Sequence, residues 1–158
     1  MDGIILPGGE STTILKLMDR FGTDVAIKAA HAAGVPIYGT CAGLICISTE
    51  IETGSQSREG QTPLALLDAT VTRNGFGTQL DSFETDLTID GLDDGVFRAI
   101  FIRAPMISKL GRSVETLAIY NGKPVLVRNG NVLASTFHPE LSNDLRIHKY
   151  FAQICDQR

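Results

Sequence analysis

Apolar residues in the first half of the chain fall in short runs that alternate with amphipathic stretches. Gly3 to Leu6 is an apolar run stopped by Pro7-Gly8-Gly9, after which Ser11, Thr12 and Thr13 offer caps for a helix reaching about Arg20. A second helix is predicted from Asp24 to Ala33, closed by Gly34. The buried run Val35 to Gly39 then leads directly into Thr40-Cys41-Ala42-Gly43 and a third helix through about Thr49. Strands alternating with helices in this way imply parallel pairing. The stretch Thr53 to Pro63 is polar, carries glycine and lacks apolar periodicity, so it reads as a surface loop ahead of a turn at Leu64 to Leu67.

The second half is richer in β-branched and aromatic alternation. Strands are predicted at Ala69 to Thr72, Phe83 to Ile89, Ala99 to Ile102, Val114 to Tyr120, Pro124 to Val127 and Val132 to Phe137. Asn121-Gly122 and Asn129-Gly130 each separate two such runs, and Asn-Gly tolerates the positive φ angles of a two-residue hairpin turn. A meander therefore leads to His138. The chain closes with an amphipathic helix from about Asn143 to Cys155, whose buried stripe is Leu145, Ile147, Tyr150, Phe151 and Ile154. The fold class expected is α/β, a mostly parallel flavodoxin-like sheet flanked by helices with an antiparallel meander before His138, in one domain over residues 1–158.

Composition narrows the function classes. Eighteen acidic against fourteen basic residues give a net charge of -4, and the basic residues are scattered, which argues against a nucleic-acid partner. No apolar run reaches the ~18 residues of a membrane span. Three cysteines without a CxxC pair suggest neither a disulfide framework nor a zinc site, so a reducing, cytoplasmic setting is expected.

The chemistry concentrates at three places. In Gly39-Thr40-Cys41-Ala42-Gly43, a cysteine stands where a buried strand turns into a helix, at the C-terminal edge of the expected sheet. Flanking glycines permit the tight elbow, the helix N-terminus favours thiolate, and the Ala42 N–H is a candidate oxyanion donor. The competing reading is a small buried cysteine at a strand end. In His138-Pro139-Glu140, the restriction that proline imposes on its predecessor favours an extended His138, with His138 and Glu140 projecting from one face so that the carboxylate orients the imidazole. An ordinary surface pair is the alternative. Pro7-Gly8-Gly9-Glu10-Ser11 follows a strand, and its backbone N–H groups supply a second oxyanion donor; Glu10 is expected to face the crevice and meet a substrate ammonium, with Arg73 or Arg103 for its carboxylate. A phosphate loop is the rival there, but the GxxxxGK[ST] spacing is absent. His31, His148 and Cys46 read as structural.

Taken together, LPGGESTT (Leu6 to Thr13), GTCAGL (Gly39 to Leu44), RNGFGTQLDSFE (Arg73 to Glu84), FIRAP (Phe101 to Pro105) and FHPELSNDLRIHKYF (Phe137 to Phe151) make the chain resemble the glutaminase subunits of pyridoxal phosphate synthase, class I glutamine amidotransferases with a cysteine triad. The resemblance spans nearly the whole chain. It implies Cys41 as nucleophile, His138 as general base and Glu140 as its orienting acid. It implies glutamine contacts at Gly9, Glu10, Ser11, Arg73, Ile102 and Arg103, and an oxyanion hole from Gly8, Gly9 and Ala42, with the Gly8-Gly9 peptide reorienting when the synthase docks. No cofactor or metal is implied. The expected substrate is L-glutamine, and the expected partner is a (β/α)₈-barrel synthase subunit that uses the ammonia.

Members of this family begin with a further strand, loop and helix ahead of the segment that opens here at Met1, so an N-terminally shortened glutaminase domain is expected. Gly75 and Thr78 replace residues commoner at those positions and are expected to matter little. Two rival functions follow: a non-catalytic interaction module related to the family, and a cysteine peptidase or γ-glutamyl hydrolase built on a similar elbow.

Overall fold

A computed structural model describes residues 1–52, 62–73, 75, 82–92 and 95–157 of the chain. Strand β1 (Ile4–Leu6) leads through the glycine turn into helix α1 (Ser11–Phe21). Gly22, at φ 68°, ends α1 and opens α2 (Thr23–Ala32), a left-handed conformation that glycine adopts without steric cost. Strand β2 (Ile37–Thr40) and helix α3 (Ala42–Ile47) flank Cys41. The cap of α1 is Glu10 rather than the hydroxyl residues after it, since Ser11 is already the first helical residue.

Strands β3 (Ser48–Glu52) and β4 (Leu67–Thr72) follow, then β5 (Ser82–Leu87), β6 (Phe97–Ile102) and β7 (Met106–Leu110). The meander comprises β8 (Glu115–Tyr120), β9 (Lys123–Asn129) and β10 (Val132–Ser135). A 3-10 turn (Pro139–Leu141) and helix α4 (Arg146–Asp156) complete the chain.

Among the described residues, the central sheet has the order β1-β2-β10-β9-β8. Its β1-β2 and β2-β10 pairs are parallel, and its β10-β9 and β9-β8 pairs antiparallel. The α/β class is as expected, but the sheet is mixed rather than mostly parallel, because the meander supplies its last three strands. A smaller sheet, β3-β4-β7, and the β5-β6 pair stand beside it.

Period-2 alternation gives the central sheet two covered faces. Ile37, Val132 and Ala134 pack with Leu6, Leu44, Ile47, Leu67 and Ile107, on the face toward α1, α3 and the smaller sheet. Tyr38 and Leu133 point the other way, into an aromatic core with Phe97, Phe101, Phe137 and Phe151. Helix α4 buries Ile147, Phe151 and Ile154 there, whereas Leu145 precedes the helix and is exposed.

The two hairpins differ. Asn121 and Gly122 both take positive φ, as a two-residue turn with this dipeptide requires. At the second, Asn129 still pairs with Val132, so the loop is Gly130-Asn131 and only Gly130 has positive φ. Among the described residues, the strands that the sequence pattern does not predict are β3 and β7. Strand β3 continues from α3 without a break and is mostly exposed, and its side chains bond across to β4 through Thr49 to Ala69, Glu50 to Thr70 and Glu52 to Thr72. The polar loop expected from Thr53 lies, through residue 61, outside the described residues, as does Thr78.

Glycines hold the elbow against the sheet. A Cβ on Gly43 would lie 1.9 Å from the Leu6 carbonyl oxygen, and one on Gly39 would lie 2.8 Å from the Gly43 carbonyl. Gly43→Ala is therefore expected to destabilise the protein by about 2–3 kcal/mol or more, because the opposing atoms are backbone. Urea denaturation measures this, and a midpoint equal to that of the unmodified chain would refute the packing account.

Candidate active site

Cys41 occupies a backbone conformation at φ 49° and ψ -106°, the strained elbow expected between β2 and α3. Such a conformation costs on the order of 1–3 kcal/mol in a non-glycine residue and persists only where the surroundings fix it. Here the Cys41 N–H donates to the Ser135 carbonyl at 2.8 Å, and the glycine contacts leave α3 no other path. The Cys41 sulfur lies 4.0 Å from the Ile102 carbonyl oxygen at the end of β6. Ala42 follows as the first helical residue, whose N–H has no acceptor within the helix.

His138 arrives from the other side. Its N–H donates to the Ile100 carbonyl at 2.8 Å, which anchors the segment after β10 to β6. Its Nδ1 is 2.7 Å from Glu140 Oε1. The contact comes from the Pro139–Leu141 turn rather than from side chains on one face of a continuing strand, so the sequence expectation has the right partners for a different geometric reason. With Nδ1 engaged by Glu140, Nε2 is the nitrogen left to exchange a proton with the Cys41 side chain, which interacts with the ring. That bond is the foremost reason the imidazole is pushed up to about 9; burial opposes it, and the Glu140 carboxylate adds to it.

The glycine turn closes a third side. A Cβ on Gly8 would lie 2.4 Å from His138 Cε1, so the turn rests against the imidazole, and Gly9 has φ 146°. Glu10 corrects an expectation. Its carboxylate accepts from the N–H groups of Thr12 and Thr13 and from the Thr13 hydroxyl, and so caps α1 rather than waiting in the crevice for an ammonium. The Thr13 hydroxyl is the main cause holding Glu10 down to about 2. Ser11 is buried at the start of α1.

Arg73 follows β4, and Arg103, at φ 42°, follows Ile102. The two segments touch where the Gly75 N–H donates to the Ala104 carbonyl at 3.2 Å. Gly75 matters more than its sequence context suggests, because a Cβ there would lie 2.1 Å from Met106 Cβ. Sequence reasoning missed Ser135 and Ile100, which act here through backbone carbonyls and so leave no residue-type signature. A cleft of about 630 Å³ lined by Arg98, Ile100, Asp144 and Arg146 opens beside α4, with neither Cys41 nor His138 in its wall.

The SNO glutamine amidotransferase family matches residues 1–157. The chain belongs to this family. It is 52% identical over 153 residues to the pyridoxal 5'-phosphate synthase subunit PdxT of Kosmotoga olearia, covering 97% of this chain and 78% of that protein. It is also 52% identical over 155 residues to the protein of the same name from Dehalococcoides mccartyi, covering 98% and 78%. A solved glutamine amidotransferase structure superposes with a TM-score of 0.91 at 45% identity, over 99% of this chain and 80% of that one.

Within this amidotransferase Cys46 is a second buried thiol, five residues beyond Cys41 on α3. It is pushed up to about 12, chiefly by burial, with the Arg73 guanidinium opposing and Glu10 reinforcing the shift. Both charges therefore act at α3, beside the elbow. His138 has a pKa raised above the ~6.5 of an unfolded chain, so its stabilising contribution is complete below that pH and is lost as pH rises toward about 9. In the SNO family member described here, NMR titration is expected to find His138 changing charge near 9, and Cys41→Ala to bring it toward the ordinary imidazole range. A wild-type midpoint near ~6.5 would contradict the sulfur-imidazole contact.

Proposed function

We propose that Cys41, His138 and Glu140 are the catalytic triad of this glutaminase. The observation that carries the reading is one imidazole set between the Cys41 side chain and the Glu140 carboxylate, groups that two distant segments of the chain bring together. The sulfur attacks the side-chain amide carbon of L-glutamine. The proton that His138 holds below pH about 9 passes to the departing nitrogen, releasing ammonia and leaving a glutamyl thioester. Water, deprotonated by the now neutral imidazole, hydrolyses the thioester to glutamate. Glu140 keeps the ring in the tautomer and orientation both steps need.

The Ala42 N–H, at the start of α3, and the Gly8-Gly9 turn, lying against His138, are the donors for the oxyanion. Gly9, Glu10 and Ser11 meet the substrate along their backbone, since the Glu10 carboxylate is occupied by α1. Ile102, whose carbonyl is beside the sulfur, and the flanking Arg103 and Arg73 form the opposite wall, with the guanidinium groups suited to the substrate carboxylate. The relatives bear the name of a pyridoxal 5'-phosphate synthase subunit. The ammonia accordingly goes to a synthase subunit, a (β/α)₈ barrel, within a hetero-oligomer in the cytoplasm.

Cys41→Ala is expected to abolish glutamate release from L-glutamine, assayed with the synthase subunit present, while circular dichroism stays unchanged. Glu140→Gln is expected to lower kcat by on the order of 10²- to 10⁴-fold, through loss of the correct tautomer. Undiminished turnover by the Cys41 variant would sink the assignment.

A further inference from the structure

Behind the triad lies a buried polar chain that the catalytic steps do not use. Ser135, fully buried at the end of β10, donates its hydroxyl hydrogen to the Phe137 carbonyl at 3.1 Å. The Tyr38 hydroxyl is 3.1 Å from Ser135 Oγ. A serine hydroxyl has one hydrogen, already given to Phe137, so Tyr38 is the donor in this pair. Burial raises the Tyr38 phenol above its ordinary range, which keeps that hydrogen in place.

The acceptor is significant. The Phe137 carbonyl and the His138 N–H belong to one peptide unit, which is planar. Its oxygen is held by the Ser135 hydroxyl, and its N–H by the Ile100 carbonyl at 2.8 Å. Both ends of the plane are thus fixed, and with them the position of the His138 Cα from which the side chain departs. The carbonyl of Ser135 meanwhile holds the Cys41 N–H. One residue therefore grips the backbone of the nucleophile with its main chain and the backbone of the base with its side chain.

We propose that Ser135 is a positioning residue for the glutaminase reaction, setting the approach of His138 to Cys41, with Tyr38 orienting its hydroxyl. This rests on the triad reading above. Misplacing reacting groups by about 1 Å costs on the order of 10²-fold in rate, so Ser135→Ala is expected to lower kcat by roughly 10- to 100-fold with KM for glutamine within about twofold. The His138 titration should also fall from about 9 toward the ordinary imidazole range, a change that general destabilisation of a still-folded protein does not produce. Tyr38→Phe leaves the Ser135 to Phe137 bond in place and is expected to cost less, about 3- to 10-fold in kcat. Tyr38→Phe combined with Ser135→Ala should equal Ser135→Ala alone, because both act through one hydrogen-bond chain.

The experiment is steady-state glutaminase kinetics with the synthase subunit present, together with NMR titration of His138, on the full chain and these three variants. An unchanged kcat together with an unchanged His138 midpoint in Ser135→Ala overturns the proposal. If that variant does not fold, the same pair of results in Tyr38→Phe overturns it. Should the unmodified chain release no glutamate, the triad reading fails, while the shift in His138 titration still decides whether Ser135 places the imidazole.

Discussion

The rest of the site depends on the hydrogen bond from the Cys41 N–H to the Ser135 carbonyl. It continues the β2-β10 parallel ladder, whose last register pair is Ser135 and Thr40. Strand β10 then continues to His138 within three residues, so the strand that restrains the nucleophile also delivers the base. The spacing between sulfur and imidazole is thereby governed by backbone pairing in a close-packed sheet, with little left to side-chain flexibility. The positive φ of Cys41 is tolerable because this ladder, the Leu6 carbonyl against Gly43 and the Gly39 contact together leave the elbow one path.

Electrostatics divides the site into a shielded and a wetter part. The His138 side chain is 13% exposed and the Glu140 side chain 43%, so the imidazole is largely screened while its carboxylate partner still meets water. Both the Cys41 side chain and this carboxylate raise the His138 pKa, the former more. Glu10 works on a different object. By occupying the N-terminus of α1 it satisfies donors that the helix leaves open and favours negative charge where the dipole is positive. Its depressed pKa reports helix capping rather than substrate chemistry.

The parts of this architecture visible in the sequence were those encoded by residue type. The order of β1, α1, α2, β2 and α3, the Asn121-Gly122 turn and the groups His138 and Glu140 follow from caps, glycines and alternation. Strand β3 escaped notice because its pattern of exposed Thr and Glu resembles a loop, and its stabilisation comes from cross-strand bonds to β4 that only tertiary structure supplies. Strand β7 escaped for want of alternation, and its ladder to β4 is itself irregular. The Glu10 orientation is not legible in the sequence, because a glutamate before Ser-Thr-Thr can serve a helix or a ligand. The backbone acceptors Ser135 and Ile100 were invisible, since any residue offers a carbonyl and only the fold decides where it points.

Gly75 carries a different lesson. Its bare Cα is pressed against Met106 so closely that no side chain fits between them, and its amide ties that segment to Ala104. The atoms that face Gly75 are the Cβ, N and Cα of Met106, which every residue but glycine carries, so a smaller side chain at 106 makes no room. A side chain at 75 is admitted only if the two backbones themselves move apart, and the restriction falls on the path of the chain although neither residue takes part in the chemistry.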